Sequence, residues 1–207
     1  VFDKVLMFRK FAADFADKHN IPTVRLTEKA VELLEKHSEG LIALSACAKG
    51  PIANLVVGGQ IEQARKKCQQ IREVFGSNFY LEIQDHGLEF DKPINNAMID
   101  FSREFDIPIV ATNDAHYLNR DDAPAQDVLV CIQTGKELND PKRLRLATDS
   151  LYFKNTNEMS QLFGHVSGAL ENTVSIAESV NFELEMGKFK FPHFPLPEGY
   201  DSLDEYL

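Results

Sequence analysis

The chain lacks the features that would tie it to a membrane or to the cell exterior. Its 207 residues hold only three cysteines, Cys47, Cys68 and Cys131, too few and too scattered for a disulfide framework. A reducing, cytosolic setting is therefore expected. No run of about 18 apolar residues occurs, which excludes an ordinary membrane-spanning helix. The opening Val1-Phe2-Asp3-Lys4 has neither the apolar stretch nor the small-residue cleavage site of a secretory signal. It also lacks an initiator Met, so the chain reads as part of a longer one. Positive charge is scarce as well: 22 Lys and Arg stand against 32 Asp and Glu, a formal net charge of -10. That balance counts against a broad surface held to nucleic acid by non-specific phosphate contacts. It leaves room for a local basic channel, or for DNA contacts made by other parts of a longer protein. Hydrophobic residues at 43% and charged residues at 26% are ordinary for a globular protein and argue against disorder. The length allows one large domain or two small ones with a sizeable core.

What is present is an alternation of helix and strand. Val1 to Asn20 reads as a Phe-rich helix that stops before Pro22, with a short strand after it. Thr27 is a suitable N-cap for a helix through Lys36. Leu41 to Ala46 is a continuous apolar run, as in a strand buried on both faces. Ile61, Ala64, Cys68, Ile71 and Phe75 mark one face of a helix closed by Gly76. Phe79 to Ile83 is a strand, Ile94, Met98, Phe101 and Phe105 mark the next helix, and Asp106 to Ala111 leads into a third strand. Further helices are expected from Asp121 to Ile132, Glu158 to Phe163 and Gly168 to Val180, with a short strand at Leu151 to Phe153. The tail, with Pro192, Pro195, Pro197 and Gly199, reads as a linker. The pattern predicts an α/β fold with a parallel sheet.

Three of the strands end in residues able to bind a metal or move a proton: Cys47, then Asp85 with His86, then Asp114 with His116. In parallel α/β folds the carboxyl ends of the strands form the functional face. Residues i and i+2 of an extended segment point the same way, so Asp114 and His116 should project together, with Asn113 and Ala115 turned aside. A convergent carboxylate and imidazole suit zinc or manganese, and a metal site of that kind activates water for phosphate-ester hydrolysis. Each residue also has a plainer reading. Asp114 and His116 can be surface polar residues, Cys47 a small buried hydrophobe, and His86 a turn cap. Cys68 and Cys131 lie in apolar surroundings and belong to the core. Lys142, Arg143 and Arg145 form either a solvated loop or a phosphate contact.

Several strings are more specific than these pairs. Gly40 to Cys47 (GLIALSAC), Phe79 to Gly87 (FYLEIQDHG), Ile109 to Tyr117 (IVATNDAHY) and Asp127 to Gly135 (DVLVCIQTG) resemble bacterial replicative DNA polymerase III alpha subunits, the family C polymerases. So do Asn139 to Arg143 (NDPKR), Asn172 to Glu178 (NTVSIAE) and Phe194 to Gly199 (FPLPEG), in family-like order from about Glu28 to Leu207. The resemblance is to the later part of the polymerase-and-histidinol-phosphatase (PHP) domain. It implies a partial, distorted (β/α)7 barrel over residues 1–190, with 1–24 poorly matched. Residues 191–207 then form a Pro-rich linker and the start of a domain toward the polymerase palm.

By the same resemblance, Cys47, Asp114 and His116 occupy metal-ligand positions of the family, while Asp85 and His86 stand near the site. The implied cofactor is a divalent metal (zinc, manganese, magnesium or iron). The family's His-x-His strand, a further His and a Glu ligand are not found, and Gln126 stands where many relatives have His, so the site is incomplete in this chain. The resemblance implies a fragment of a DNA-synthesising nucleotidyltransferase that would itself be inactive as a polymerase. Its PHP region would carry metal-dependent 3'-5' exonuclease proofreading or the vestige of it; the alternative is a non-catalytic docking module. A free-standing PHP phosphoesterase is a more distant reading. Implied partners are DNA through the full-length protein, a proofreading exonuclease subunit and other replicase subunits, in the cytoplasm and with no membrane.

Overall fold

The computed structural model describes residues 36–182, together with Leu34, Met186, Gly187, Leu196, Gly199, Ser202 and Tyr206. The expected Phe-rich first helix, the strand near Val24 and most of the Thr27 helix lie outside these residues. So does most of the Pro-rich tail.

Three parallel strands form the centre in the order β1 (Ala43–Leu44), β2 (Phe79–Ile83), β3 (Ile109–Ala111). The register is Ala43 with Phe79 and Leu44 with Tyr80 on one side of β2, and Leu81 with Ile109 through Ile83 with Ala111 on the other. Phe79, Leu81 and Ile83 are buried, while Tyr80 and Glu82 are half-buried on the opposite face. That alternation is the period of a strand covered more tightly on one side.

Between the strands lie α1 (Pro51–Val57), α2 (Ile61–Phe75) and α3 (Asp91–Phe105). The chain continues through α4 (Ala123–Thr134), α5 (Thr156–Phe163) and α6 (Glu171–Ser179). The described residues thus make an α/β arrangement around a parallel sheet. Ala64 and Cys68 of α2 and Ile94, Met98 and Phe101 of α3 enter the same core as Phe79, Leu81 and Ile83. Burial pushes the Cys68 thiol up to about 12, with Glu104 adding to the shift, so this cysteine is inert packing material. Cys131 is buried as well.

Four differences from the sequence pattern have physical causes. Helix α1 is not anticipated by the pattern; Pro51 occupies its first turn and Ile52, Ala53 and Val56 face the core. Strand β1 is shorter than the apolar run: Leu41 is exposed, and the pairing stops where Ser45 Oγ accepts the Glu82 N–H at 2.8 Å and Ala46 turns to φ +68°. Ile61 opens α2 on its solvent side instead of in the core. The Leu151 to Phe153 strand reduces to one parallel bridge between Tyr117 and Tyr152. The free edge of β3 is covered by the turn before α6 and by its first residues: Ala111 N–H donates to the Ala169 carbonyl at 2.8 Å, and Asn172 Nδ2 donates to the Ile109 carbonyl at 2.7 Å. This satisfies edge groups that would otherwise invite pairing with another chain.

Candidate functional site at the carboxyl rim of the sheet

All the singled-out residues lie just past the carboxyl ends of β1, β2 and β3. Cys47 is half-buried in the turn after β1, and its carbonyl accepts the Gly50 N–H at 2.6 Å. Asp114 and His116 follow β3 and do project together: His116 Nε2 lies 3.2 Å from Asp114 Oδ2, with side chains 37% and 52% exposed. Asn113 is turned aside, its Nδ2 donating to the Tyr152 carbonyl at 2.7 Å. Strands β1 and β3 flank β2, so their ends stand apart by two strand spacings, about 9.5 Å. Among the described residues, no three His, Cys, Asp or Glu side chains are close enough together to hold a metal ion. Asp114 and His116 are brought together, and Cys47 is not gathered with them into one ligand set.

Asp85 and His86 have other work. Asp85 Oδ1 accepts the Gly87 N–H at 3.0 Å and closes a turn. His86 is buried and acts as a clasp. Its Nε2 accepts the Asp114 N–H at 3.3 Å, which assigns the ring proton to Nδ1. Its own N–H donates to Asp91 Oδ2 at 2.8 Å, and its carbonyl accepts the Thr148 hydroxyl at 2.7 Å. The imidazole that sequence reasoning places near the metal therefore has its acceptor nitrogen occupied by backbone.

Burial holds the His86 pKa below the ordinary histidine value of about 6.5, with Lys154 adding to the shift and nearby carboxylates opposing it. The depressed value means that the unfolded chain takes up this proton more readily than the folded one. His86 therefore contributes stability that is present above pH ~6.5 and is lost as pH falls through its folded pKa. Protonation would also turn Nε2 into a donor facing the Asp114 N–H. Urea unfolding at pH 7.5 and pH 5 is expected to show a larger loss of stability on acidification for the wild type than for His86→Gln. Equal losses would show that another group governs this window.

Two residues of the rim escaped the sequence reading. Glu82, on β2, carries a buried carboxylate that accepts hydrogen bonds from the Thr112 hydroxyl and from Gln84 Nε2, the latter at 2.9 Å. Desolvation raises its pKa, while Thr112, Gln84 and the Ala46 amide favour its charged form. Lys154 Nζ donates to Asn113 Oδ1 at 3.1 Å and to the Ser150 carbonyl, and lies 4.9 Å from the Tyr152 ring centroid. Burial lowers its pKa. The signal for Glu82 was available in part: a charged residue on an otherwise apolar strand, three residues before the Asp85-His86 turn. In the basic cluster, Arg143 is taken up by the fold, with Nη2 2.6 Å from Asp127 Oδ2 on α4.

The comparisons with known proteins bear directly on this rim. The PHP domain model matches residues 9–86. The DNA polymerase III subunit alpha of Borreliella burgdorferi is 42% identical over 175 residues, covering 84% of this chain and 15% of that protein. That of Treponema pallidum is 38% identical over 85% of this chain and 15% of its own length. That of Thermus aquaticus is 34% identical over 91% of this chain and 17% of its own length. The chain belongs to the DNA polymerase III alpha-subunit family. It spans about 15% of the length of the first two of these relatives. Within this family setting the metal fit can be judged on donors alone. Asp114 with His116 supplies one carboxylate–imidazole pair, and the described residues do not complete a ligand set around it. No helix among the described residues is long and apolar enough to cross a membrane.

Proposed function

We propose that the chain is the PHP part of a DNA-synthesising subunit of a bacterial replicase. Its strands would contribute to a distorted (β/α)7 barrel, and the region would serve there as an architectural and docking module for the polymerase core and the proofreading exonuclease subunit. The observation that supports an architectural role is how the rim uses its polar groups. His86, Asn113 and Lys154 hold one loop to another, while Asp85 and Asp91 close the turn after β2 from within. Such a network rigidifies a surface without leaving a ligand set open. A replicase subunit of this kind would act on DNA in the cytoplasm.

A second reading, metal-dependent phosphodiester hydrolysis at a mispaired primer end, is favoured by one observation: Asp114 and His116 meet at 3.2 Å and remain open to solvent. Cys47 would be the third residue of that reading, and zinc, manganese, magnesium or iron the candidate metals. The full-length subunit and its Asp114→Asn, His116→Ala double variant separate the two. The architectural reading expects less than one bound metal per chain, no metal-dependent nuclease activity above background, and equal DNA synthesis by both proteins. Stoichiometric metal and a nuclease activity that disappears in the variant would reverse the choice.

A further inference from the structure

Two residues other than glycine have left-handed backbone among the described residues, Ala46 at φ +68° and Asp106 at φ +50°. Asp106 is the C-cap of α3, with its N–H donating to the Ser102 carbonyl, an ordinary place for that conformation. Ala46 caps no helix. A left-handed alanine costs about 1–2 kcal/mol, so its surroundings must hold it there.

Glu82 is placed to do so. Its main-chain N–H donates to Ser45 Oγ at 2.8 Å, and its carboxylate faces the Ala46 amide. The same carboxylate accepts from the Thr112 hydroxyl and from Gln84 Nε2, and Gln84 Nε2 also reaches Thr112 Oγ1 at 2.8 Å. Ala46 immediately precedes Cys47, and Thr112 lies two residues before Asp114. One side chain on the middle strand thus touches the turn after β1 and the turn after β3. Stability alone is a poor reason for a carboxylate in this place, because replacing buried charge by apolar side chains is often neutral or stabilising.

We propose that Glu82 is a positioning residue that holds the Cys47 turn in register with the Asp114–His116 turn across β2. The assignment stands under either reading of the rim, since it concerns the placement of the turns and not what they bind.

Native-state alkylation tests it. Cys68 and Cys131 are buried and Cys47 is half-buried, so iodoacetamide labelling of the Cys47 peptide, mapped by mass spectrometry in the full-length subunit, reads this turn directly. Glu82→Ala is expected to raise the Cys47 labelling rate by about tenfold with Cys68 still protected, as local opening does. Glu82→Gln is expected to stay within about twofold of wild type. Its amide oxygen can accept from Ala46 while its NH2 donates to Thr112 Oγ1 and to the flipped amide of Gln84. Thr112→Val, which removes one partner and keeps the shape, is expected to raise the rate by about threefold, and it carries the test if Glu82→Ala does not fold. The proposal is overturned if Glu82→Ala leaves the Cys47 rate unchanged, if Cys68 labelling rises in parallel, if Glu82→Gln behaves like Glu82→Ala, or if Thr112→Val has no effect.

Discussion

Gly50→Ala is expected to lower the stability of the chain by about 2–4 kcal/mol, the range for overpacking against groups that cannot relax. A Cβ at Gly50 would lie 2.4 Å from the Ser45 carbonyl oxygen and 2.8 Å from that of Cys47. Both are backbone atoms, so no side-chain rotation relieves the clash. The position is the N-cap of α1, and its φ of -61° and ψ of 153° are open to any residue. The glycine is therefore required by close approach and not by an unusual dihedral. Removing a glycine ordinarily stabilises by about 0.4–1 kcal/mol through the unfolded chain, which is smaller than the clash and opposite in sign. Gly58→Ala is the control: its nearest neighbour would be the Asn54 carbonyl at 3.4 Å, and it should change stability by less than about 1 kcal/mol. Equal urea midpoints for Gly50→Ala and the wild type would show that the Ser45–Gly50 turn is looser than these distances. Because the turn carries Cys47, the Gly50 variant should also label faster at that thiol.

Asp91→Ala is expected to lose about 2–4 kcal/mol, and Asp91→Asn less than half of that. The buried Asp91 carboxylate accepts the His86 N–H at 2.8 Å and the Leu88 N–H at 2.9 Å, both on Oδ2. Alanine leaves two inward-facing N–H groups without a partner, and hydrogen bonds to a charged group are worth about 1.5–3 kcal/mol each. Asparagine keeps one acceptor oxygen in the same place, and because both bonds fall on one atom it can keep both. The carboxylate also sits in the first turn of α3, where negative charge is favourable by about 0.3–1 kcal/mol; asparagine loses that share. Denaturant titration of the three proteins checks the order. Similar losses for alanine and asparagine would mean that charge, and not the two hydrogen bonds, holds the turn. Since the Asp91 bond fixes His86, and His86 accepts the Asp114 N–H, the alanine variant should also shift the His116 resonances in NMR spectra.

Much of the fold is legible in the sequence, because hydrophobic period reports burial directly. The Ala64–Cys68 and Ile94–Met98–Phe101 spacings place α2 and α3 against the strands, and Phe79, Leu81 and Ile83 alternate as a sheet residue must. Helix α1 was missed since its apolar residues are few and follow a turn, although Pro51 after Gly50 was a usable start signal. The end of β1 could not be read from a run that is apolar throughout: it is decided by the Ser45 hydroxyl taking the Glu82 N–H, a contact between residues far apart in the chain.

By itself the sequence determined the α/β alternation, the apolar faces, the family and the pairing of Asp114 with His116. Those follow from local periodicity, from the two-residue repeat of an extended segment, and from strings long enough to be specific. Only the tertiary structure decided how the three strand ends share their polar groups: that His86 accepts a backbone N–H, and that Glu82 lies between two turns. The physical reason is that hydrogen-bond partners across a parallel sheet are set by strand order and register. Those bring together residues some 30 positions apart, as Glu82 and Thr112 are, and no local pattern encodes them.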